Sequence, residues 1–249
     1  MGLTVEQAEI IGLFVGDGCL QKDYVCFWGN PKEDKEYYDF YLADLFRKAF
    51  EIEINPHHKK SNSVYGFYVC KRPVINFFIN VGFSPGSKTY TVSVPKFVKN
   101  SDLKIKAAFL RGFIAADGCL NFDKRRGKYT EFKRTHHVHP RIILGTVSEQ
   151  LASDLWQLLE DIGLKSSIQF KKSKNERFSD SYRVIVCGVK NLELWNRKIG
   201  FSTERNRTKY EIFKKHGFMP TNTSLEQRRK ILKGSLSINT FYTDPWRSG

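Results

Sequence analysis

A chain of 249 residues accommodates one large domain or two small ones, each with its own core, and 41% apolar with 14% aromatic residues excludes a disordered protein. No apolar run approaches the roughly eighteen residues of a membrane span, and the N-terminus lacks the layout of a signal peptide. Five cysteines without a Cys-x-x-Cys pair argue against a disulfide framework and a structural zinc site, so an intracellular protein is expected, with no membrane partner. The formal charge of +15 points to a polyanionic partner, nucleic acid first.

That charge is uneven. Residues 1–99 carry net +1, residues 100–203 net +8 and residues 204–249 net +6. The sequence also repeats. Gly12-Leu13-Phe14-Val15-Gly16-Asp17-Gly18-Cys19-Leu20 returns as Gly112-Phe113-Ile114-Ala115-Ala116-Asp117-Gly118-Cys119-Leu120. Further on, Tyr65–Cys70 returns as Tyr182–Cys187 and Gly82-Phe83-Ser84 as Gly200-Phe201-Ser202. Several matches in one order indicate a duplicated unit, too few for a solenoid and suited to a pseudo-symmetric pair.

In chain order, Thr4 and Gln7 resemble a capping box opening a first helix with Ile10, Ile11, Phe14 and Val15 on its apolar positions. An extended stretch over 19–28 follows, then an amphipathic helix near 33–50 carrying Phe40, Leu42, Leu45 and Phe46. Strands near 54–70 and a short helix lead to Gly-Phe-Ser, and a short link with Pro95 leads on to the second copy. There Ser101 precedes the motif helix, 119–145 forms a hairpin around Arg125-Arg126-Gly127, and a helix near 148–163 and strands over 165–187 follow. Both copies thus read as α+β. Beyond the repeat, Ser224 and Gln227 open a basic helix.

The two motif helices place small residues four apart, Gly12 and Gly16, then Gly112 and Ala116. Glycine inside a helix costs about 0.5–1 kcal/mol, and close helix-on-helix packing supplies a reason to bear it. Asp17 and Asp117 each stand at a helix C-terminus, before a glycine suited to a left-handed cap. An anion there opposes the helix dipole, and packing the helices in register brings the two carboxylates together. Both costs, met twice, point to a bound cation. Oxygen ligation with few protein donors suits Mg²⁺ and metal-dependent phosphodiester hydrolysis.

The two segments resemble the LAGLIDADG motif, and the chain from residue 4 to about 216 resembles a single-chain, two-motif LAGLIDADG homing endonuclease, including the Val94-Pro95-Lys96-Phe97-Val98 stretch before the second motif. The resemblance implies two pseudo-two-fold-related units, over 1–89 and 101–216, with a linker at 90–100 and a basic extension at 217–249. Each unit would curve a four-stranded antiparallel sheet into a saddle lying in the DNA major groove, with the motif helices between the units. Asp17 and Asp117, with the adjoining Gly16 and Ala116, would hold Mg²⁺; Mn²⁺ would substitute, and Ca²⁺ would bind without supporting cleavage. Lys88 and Arg207 would be the basic residues of the catalytic pocket, and Asn30 and Thr146 the polar residues that organise water. The protein would act as a monomer on double-stranded DNA, with no protein partner required.

The strands carry candidates for DNA contact, of which alternation lets about half face the groove. In the first unit these are Lys22, Tyr24, Asn30, Lys59, Lys60, Asn62 and Lys71. In the second they are Lys124, Arg125, Arg126, Lys128, Lys133, Arg134, His136, Lys171, Lys172, Lys174, Arg177 and Arg183. Two readings compete with cleavage: an RNA-binding intron maturase and a non-catalytic DNA-binding regulator on the same fold. Both metal acids and both basic candidates are present, which favours cleavage. A chain opening at Met1 without a splicing Cys or Ser, and not ending in Asn, is not expected to be part of an intein.

Overall fold

The computed structural model describes residues 2–59, 64–124, 136–173, 175 and 179–242. Lys60, Asn62, Arg125, Arg126, Lys128, Lys133, Arg134, Lys174 and Arg177 lie outside the described residues, as does the turn of the second hairpin. Among the described residues no helix is long and apolar enough to cross a membrane.

The repeat folds as two α+β units. Helix α1 (Val5–Asp17) runs directly into β1 (Gly18–Leu20), which pairs with β2 (Val25–Gly29). A π-helical stretch at Tyr37–Leu42 continues as α2 (Ala43–Phe50), before β3 (His57–His58), β4 (Tyr65–Val69) and α3 (Arg72–Val81). A short α4 (Lys96–Lys99) sits in the link. The second unit follows the same plan: α5 (Leu103–Asp117), β5 (Gly118–Lys124), β6 (His137–Thr146), α6 (Glu149–Ile162), β7 (Ser166–Lys171), β8 (Ser181–Cys187) and α7 (Val189–Lys198). Helices α8 (Glu204–His216) and α9 (Leu225–Leu232) end it. Both sheets are antiparallel and share one strand order, β1-β2-β4-β3 and β5-β6-β8-β7.

Local chemistry explains the boundaries. Thr4 and Gln7 form the full capping box of α1. The cap of α5 is Asp102 rather than Ser101: its carboxylate accepts from the Lys104 and Ile105 amides at 2.9 and 3.0 Å. The helix near 33–50 departs from simple periodicity. Its wide π turn changes the phase, so the adjacent Tyr37 and Tyr38 both turn inward with Leu42, Leu45 and Phe46, and Phe40 is left 73% exposed. The glycines after the motif acids are not left-handed caps either. Gly18 and Gly118 are extended (φ −78° and −123°), and a Cβ there would lie 2.3 Å from the Phe14 ring and 2.5 Å from the Ile114 side chain. The helix turns into a strand over its own last turn, and only glycine leaves room.

The two units meet along α1 and α5. A Cβ on Gly12 would fall 1.9 Å from the Phe109 carbonyl oxygen, and one on Gly112 would fall 1.9 Å from the Glu9 carbonyl oxygen. The contact is backbone on backbone, twice, and related by the pseudo-two-fold axis. Beside it lies one unsymmetrical feature. Buried Glu9 accepts two hydrogen bonds from Arg111 (2.6 and 2.9 Å) and one from the Tyr41 hydroxyl (2.9 Å). Arg111 also donates to the Ile199 carbonyl at 3.1 Å.

The link and the extension tie the units further. The Val94 amide donates to Asp154 of α6 at 2.9 Å, and Lys99 pairs with the same carboxylate at 2.6 Å. On α9, Arg229 reaches Glu36 of the first unit and Glu204 of α8, while buried Arg228 donates to Thr208 at 3.1 Å and faces Glu33 at 3.8 Å. The extension therefore braces both units.

Replacing Gly12 or Gly112 with alanine separates two effects of opposite sign. Helix propensity alone would stabilise by about 0.5–1 kcal/mol, whereas forcing a methyl onto a backbone carbonyl costs about 3 kcal/mol or more. Urea unfolding should show the loss.

Candidate active site

Bringing α1 and α5 together at Gly12 and Gly112 brings their C-termini together as well. The Asp117 carboxylate stands against Gly16, with Oδ2 3.2 Å from where a Gly16 Cβ would be and the Ala116 methyl 2.4 Å from that point. Both aspartates retain solvent exposure at their helix ends. Crowding by the protein, then the facing Asp117 carboxylate, pushes Asp17 up to about 7. Asp117 is raised too, by desolvation, with Lys88 and then Arg205 pulling against it. Among the described residues neither carboxylate makes an ion pair or a side-chain hydrogen bond, so their oxygens remain available.

The cations stand close by, on the carbonyls of the helix ends. Lys88 Nζ donates to the Gly16 carbonyl at 3.2 Å and lies 5.3 Å from the Phe14 ring centre; burial holds its pKa below the ordinary lysine value. In the second unit the corresponding residue is Arg205, whose Nη2 donates to the Ala115 and Ala116 carbonyls at 2.6 and 3.0 Å. Arg207 is not there. It is paired with Glu204, with Glu211 at 3.9 Å, on the outer side of α8. Two residues along a helix turn a side chain by about 200°, so Arg205 and Arg207 point opposite ways. The basic group that most lowers the Asp17 pKa is Arg205, and for Asp117 it is Lys88. Each cation thus holds the helix end of its own unit while its charge acts on both acids, more on the acid of the other unit.

The surroundings of the two acids differ. A recess of about 410 Å³ on the Asp117 side is lined by Gly16, Lys88, Thr146 and Arg183. Thr146 Oγ1 accepts from the Ser148 amide at 3.0 Å. On the Asp17 side stands buried Asp34, 3.9 Å from Arg205, its carboxyl raised by desolvation and accepting from the Asn30 amide at 3.0 Å. Asn30 itself closes the turn, its side chain accepting from the Lys32 amide at 2.8 Å. Nothing in the spacing of the charged stretch 32–36 distinguishes Asp34 from its neighbours.

The sheet faces turned away from the helices sort the remaining candidates. Tyr24, Lys59, Lys171 and Arg183 lie on those faces, as fixed by strand register. Lys22 is in the β1–β2 turn, Lys71 precedes α3, Lys124 ends β5, and Lys172 follows β7. His136 is not an open DNA contact: its ring packs on Phe218 (4.5 Å) and Tyr242 (4.3 Å) of the extension. The same faces carry residues absent from the sequence-based set, among them Trp28, His57, Tyr68, Asn121, Arg141 and Gln169. Strict alternation from the buried positions would have found them.

A raised carboxyl makes folding favour the protonated form. That contribution is complete below the unfolded value near 3.8 and is lost as pH rises through about 7. In chelator at pH 8, Asp17→Asn should therefore stabilise the protein by about 1 kcal/mol, solvent screening having reduced the larger effect of a fully buried group. At pH 4 the gain should vanish. Thermal melts at the two pH values read the difference.

With this geometry in view, the comparisons with known proteins are specific. Residues 104–200 match the family model of the LAGLIDADG-like domain. The chain is 25% identical over 224 residues to the replicative DNA helicase DnaB of Synechocystis sp., covering 86% of this chain and 24% of that protein. It spans about a quarter or less of the length of the curated relatives it matches. Among solved structures, the I-LtrWI LAGLIDADG homing endonuclease bound to target DNA superposes with a TM-score of 0.56 at 14% identity, over 94% of this chain and 98% of that one. I-DmoI in complex with DNA and Mn gives 0.51 at 14% identity, over 79% and 96%. Residues 104–200 thus resemble the LAGLIDADG-like domain, and the chain as a whole shares the two-unit fold of the LAGLIDADG homing endonucleases I-LtrWI and I-DmoI.

Proposed function

We propose that the protein is a divalent-metal-dependent endonuclease that cuts both strands of a long double-stranded DNA target. The observation that carries this is the pair of acids at the touching helix ends, two carboxylates with their oxygens unspent while the nearby cations bind backbone carbonyls instead. A purely structural pair would be neutralised by direct ion pairs or replaced. The donor set fits Mg²⁺ or Mn²⁺: the Asp17 and Asp117 carboxylates, unpaired among the described residues, offer only oxygen, and such ions need few protein ligands. The Gly16 and Ala116 carbonyls beside them are already engaged by Lys88 and Arg205. When bound, the ion would neutralise phosphate charge and acidify a water molecule.

The residues of the chain then divide the work. Asp17 and Asp117 each orient one scissile phosphate and its attacking water at the groove floor. The Lys88 ammonium and the Arg205 guanidinium offset charge growing on the phosphorane oxygens, and both are already fixed before substrate arrives. Asp34 positions Arg205 from behind. The two sheets place base pairs on either side of the cut. DNA-bound complexes of I-LtrWI and I-DmoI support the substrate class, and the Mn complex of I-DmoI supports a divalent ion. The helicase activity named for the DnaB relative belongs to a protein about four times longer and is not carried over.

Asp17→Asn and Asp117→Asn should each leave duplex binding near the original affinity and abolish double-strand cleavage of a target selected from a randomised library in Mg²⁺. A double variant that still cuts overturns the proposal. Lys88→Ala and Arg205→Ala should slow single-turnover cleavage about 10²–10³-fold, as removal of one electrostatic stabiliser does. Arg207→Ala should cut at the unaltered rate.

A further inference from the structure

The open face of the first sheet is built from rings. Alternation sends Phe27, Phe67 and Val69 into the core and leaves Tyr24, Cys26, Trp28 and Tyr68 on the other side. His57 joins them from β3, opposite Gly66. Trp28 meets His57 edge to face at 5.6 Å, His57 meets Tyr68 at 5.7 Å and 89°, and Tyr24 meets Tyr68 at 6.3 Å. Lys59 Nζ lies 5.3 Å from the Trp28 ring centre. Together they line a recess of about 340 Å³, with Tyr24 39% and Tyr68 55% exposed. The corresponding face of the second sheet is not built from rings: Ile143 and Ile185 sit at its centre, and the polar Asn121, Gln169, Arg183 and the Asp123–Arg141 pair at 2.8 Å surround them.

The ring face is continuous with the acids, since β1 leaves Asp17 directly and Cys19 lies on that face opposite Cys26. A duplex whose phosphate lies at the carboxylates carries its base edges onto this sheet. The apolar feature of the major groove is the thymine methyl group; hydrogen-bond donors and acceptors make up the rest of its code. The near-perpendicular rings cover one another's faces and present edges and slots. That suits methyl groups and not the stacking of unpaired bases, which needs an open ring face. The near-neutral first unit, net +1 over residues 1–99, agrees with recognition by shape and apolar contact.

We infer that the first sheet reads its half of the target through thymine 5-methyl groups held by Tyr24, Trp28 and Tyr68, while the second sheet reads its half by hydrogen bonds. This rests on the duplex-cutting reading above. The test starts from the duplex that the full chain selects from a randomised library in Ca²⁺. Thymines are replaced by deoxyuridine in one half-site at a time, and affinity is measured for the original protein and for Tyr24→Ala and Tyr68→Ala, whose exposed rings leave the fold intact by circular dichroism. Each contacted methyl removed should weaken binding about threefold to fivefold in one half-site, with little change in the other. The ring variants should lose that sensitivity in the same half-site alone. Equal sensitivity of both halves, unaltered sensitivity in the variants, or tighter binding of the same sequence as single-stranded RNA overturns the inference. If a duplex is selected and cut yet methyl removal has no effect, the inference alone fails; if no duplex is selected, the endonuclease reading fails with it.

Discussion

Everything at the centre of this molecule depends on two helices touching through their backbones. With Gly12 and Gly112 each set against a carbonyl of the other helix, no side chain separates α1 from α5 at the crossing. That spacing holds for the next turn as well, so the Gly16 and Ala116 positions come into contact and the terminal aspartates are brought together. The carboxylate pair is a geometric consequence of the glycines. A wider crossing, with any side chain at position 12 or 112, would separate the acids and remove the part of the raised Asp17 proton affinity that the Asp117 charge supplies.

Duplication supplies the symmetry, and later divergence breaks it at definite places. Glu9 and Arg111 form a buried ion pair across the interface, whereas their counterparts in the other copy are Phe109 and Ile11, both fully apolar. A buried pair of this kind is costly unless its hydrogen bonds are complete; Tyr41 and the Ile199 carbonyl complete them here. It also fixes which unit is which, because a swapped register would strand both charges. Asp34 and the α9 arginines add weight on the same side. Arg229 spans Glu36 and Glu204, so the extension holds α8, and with it Arg205, against the first unit.

Much of this was legible in the sequence where a physical rule repeats. The glycine spacing and the doubled Asp-Gly identify the interface and its acids because both features are costly for a lone helix. The duplicated strand order follows from the order of the repeats. The misses have equally physical causes. The resemblance points to Arg207, whereas α8 has begun by Glu204, and the helical turn there directs Arg205 and not Arg207 to the motif-helix end. A 3.6-residue period puts Phe40 in the core, and the π turn at Tyr37–Leu42 interrupts that period. The aromatic face follows from strand alternation only when it is extended from the bases to the rings between them. Asp34 carries no sequence signal, since its burial depends on Arg205 arriving from the far end of the chain.

The placement of the cations explains how the fold tolerates the acids at all. Lys88 and Arg205 could have neutralised the aspartates by direct contact, which would use the carboxylate oxygens. Each donates instead to the carbonyl end of a motif helix, where a positive charge offsets the dipole that the aspartate opposes. The helix ends are thereby stabilised without using the carboxylate oxygens. The same device works twice with different side chains, a desolvated lysine on one side and a guanidinium backed by Asp34 on the other. The two halves of the site are therefore alike in layout and unequal in electrostatics.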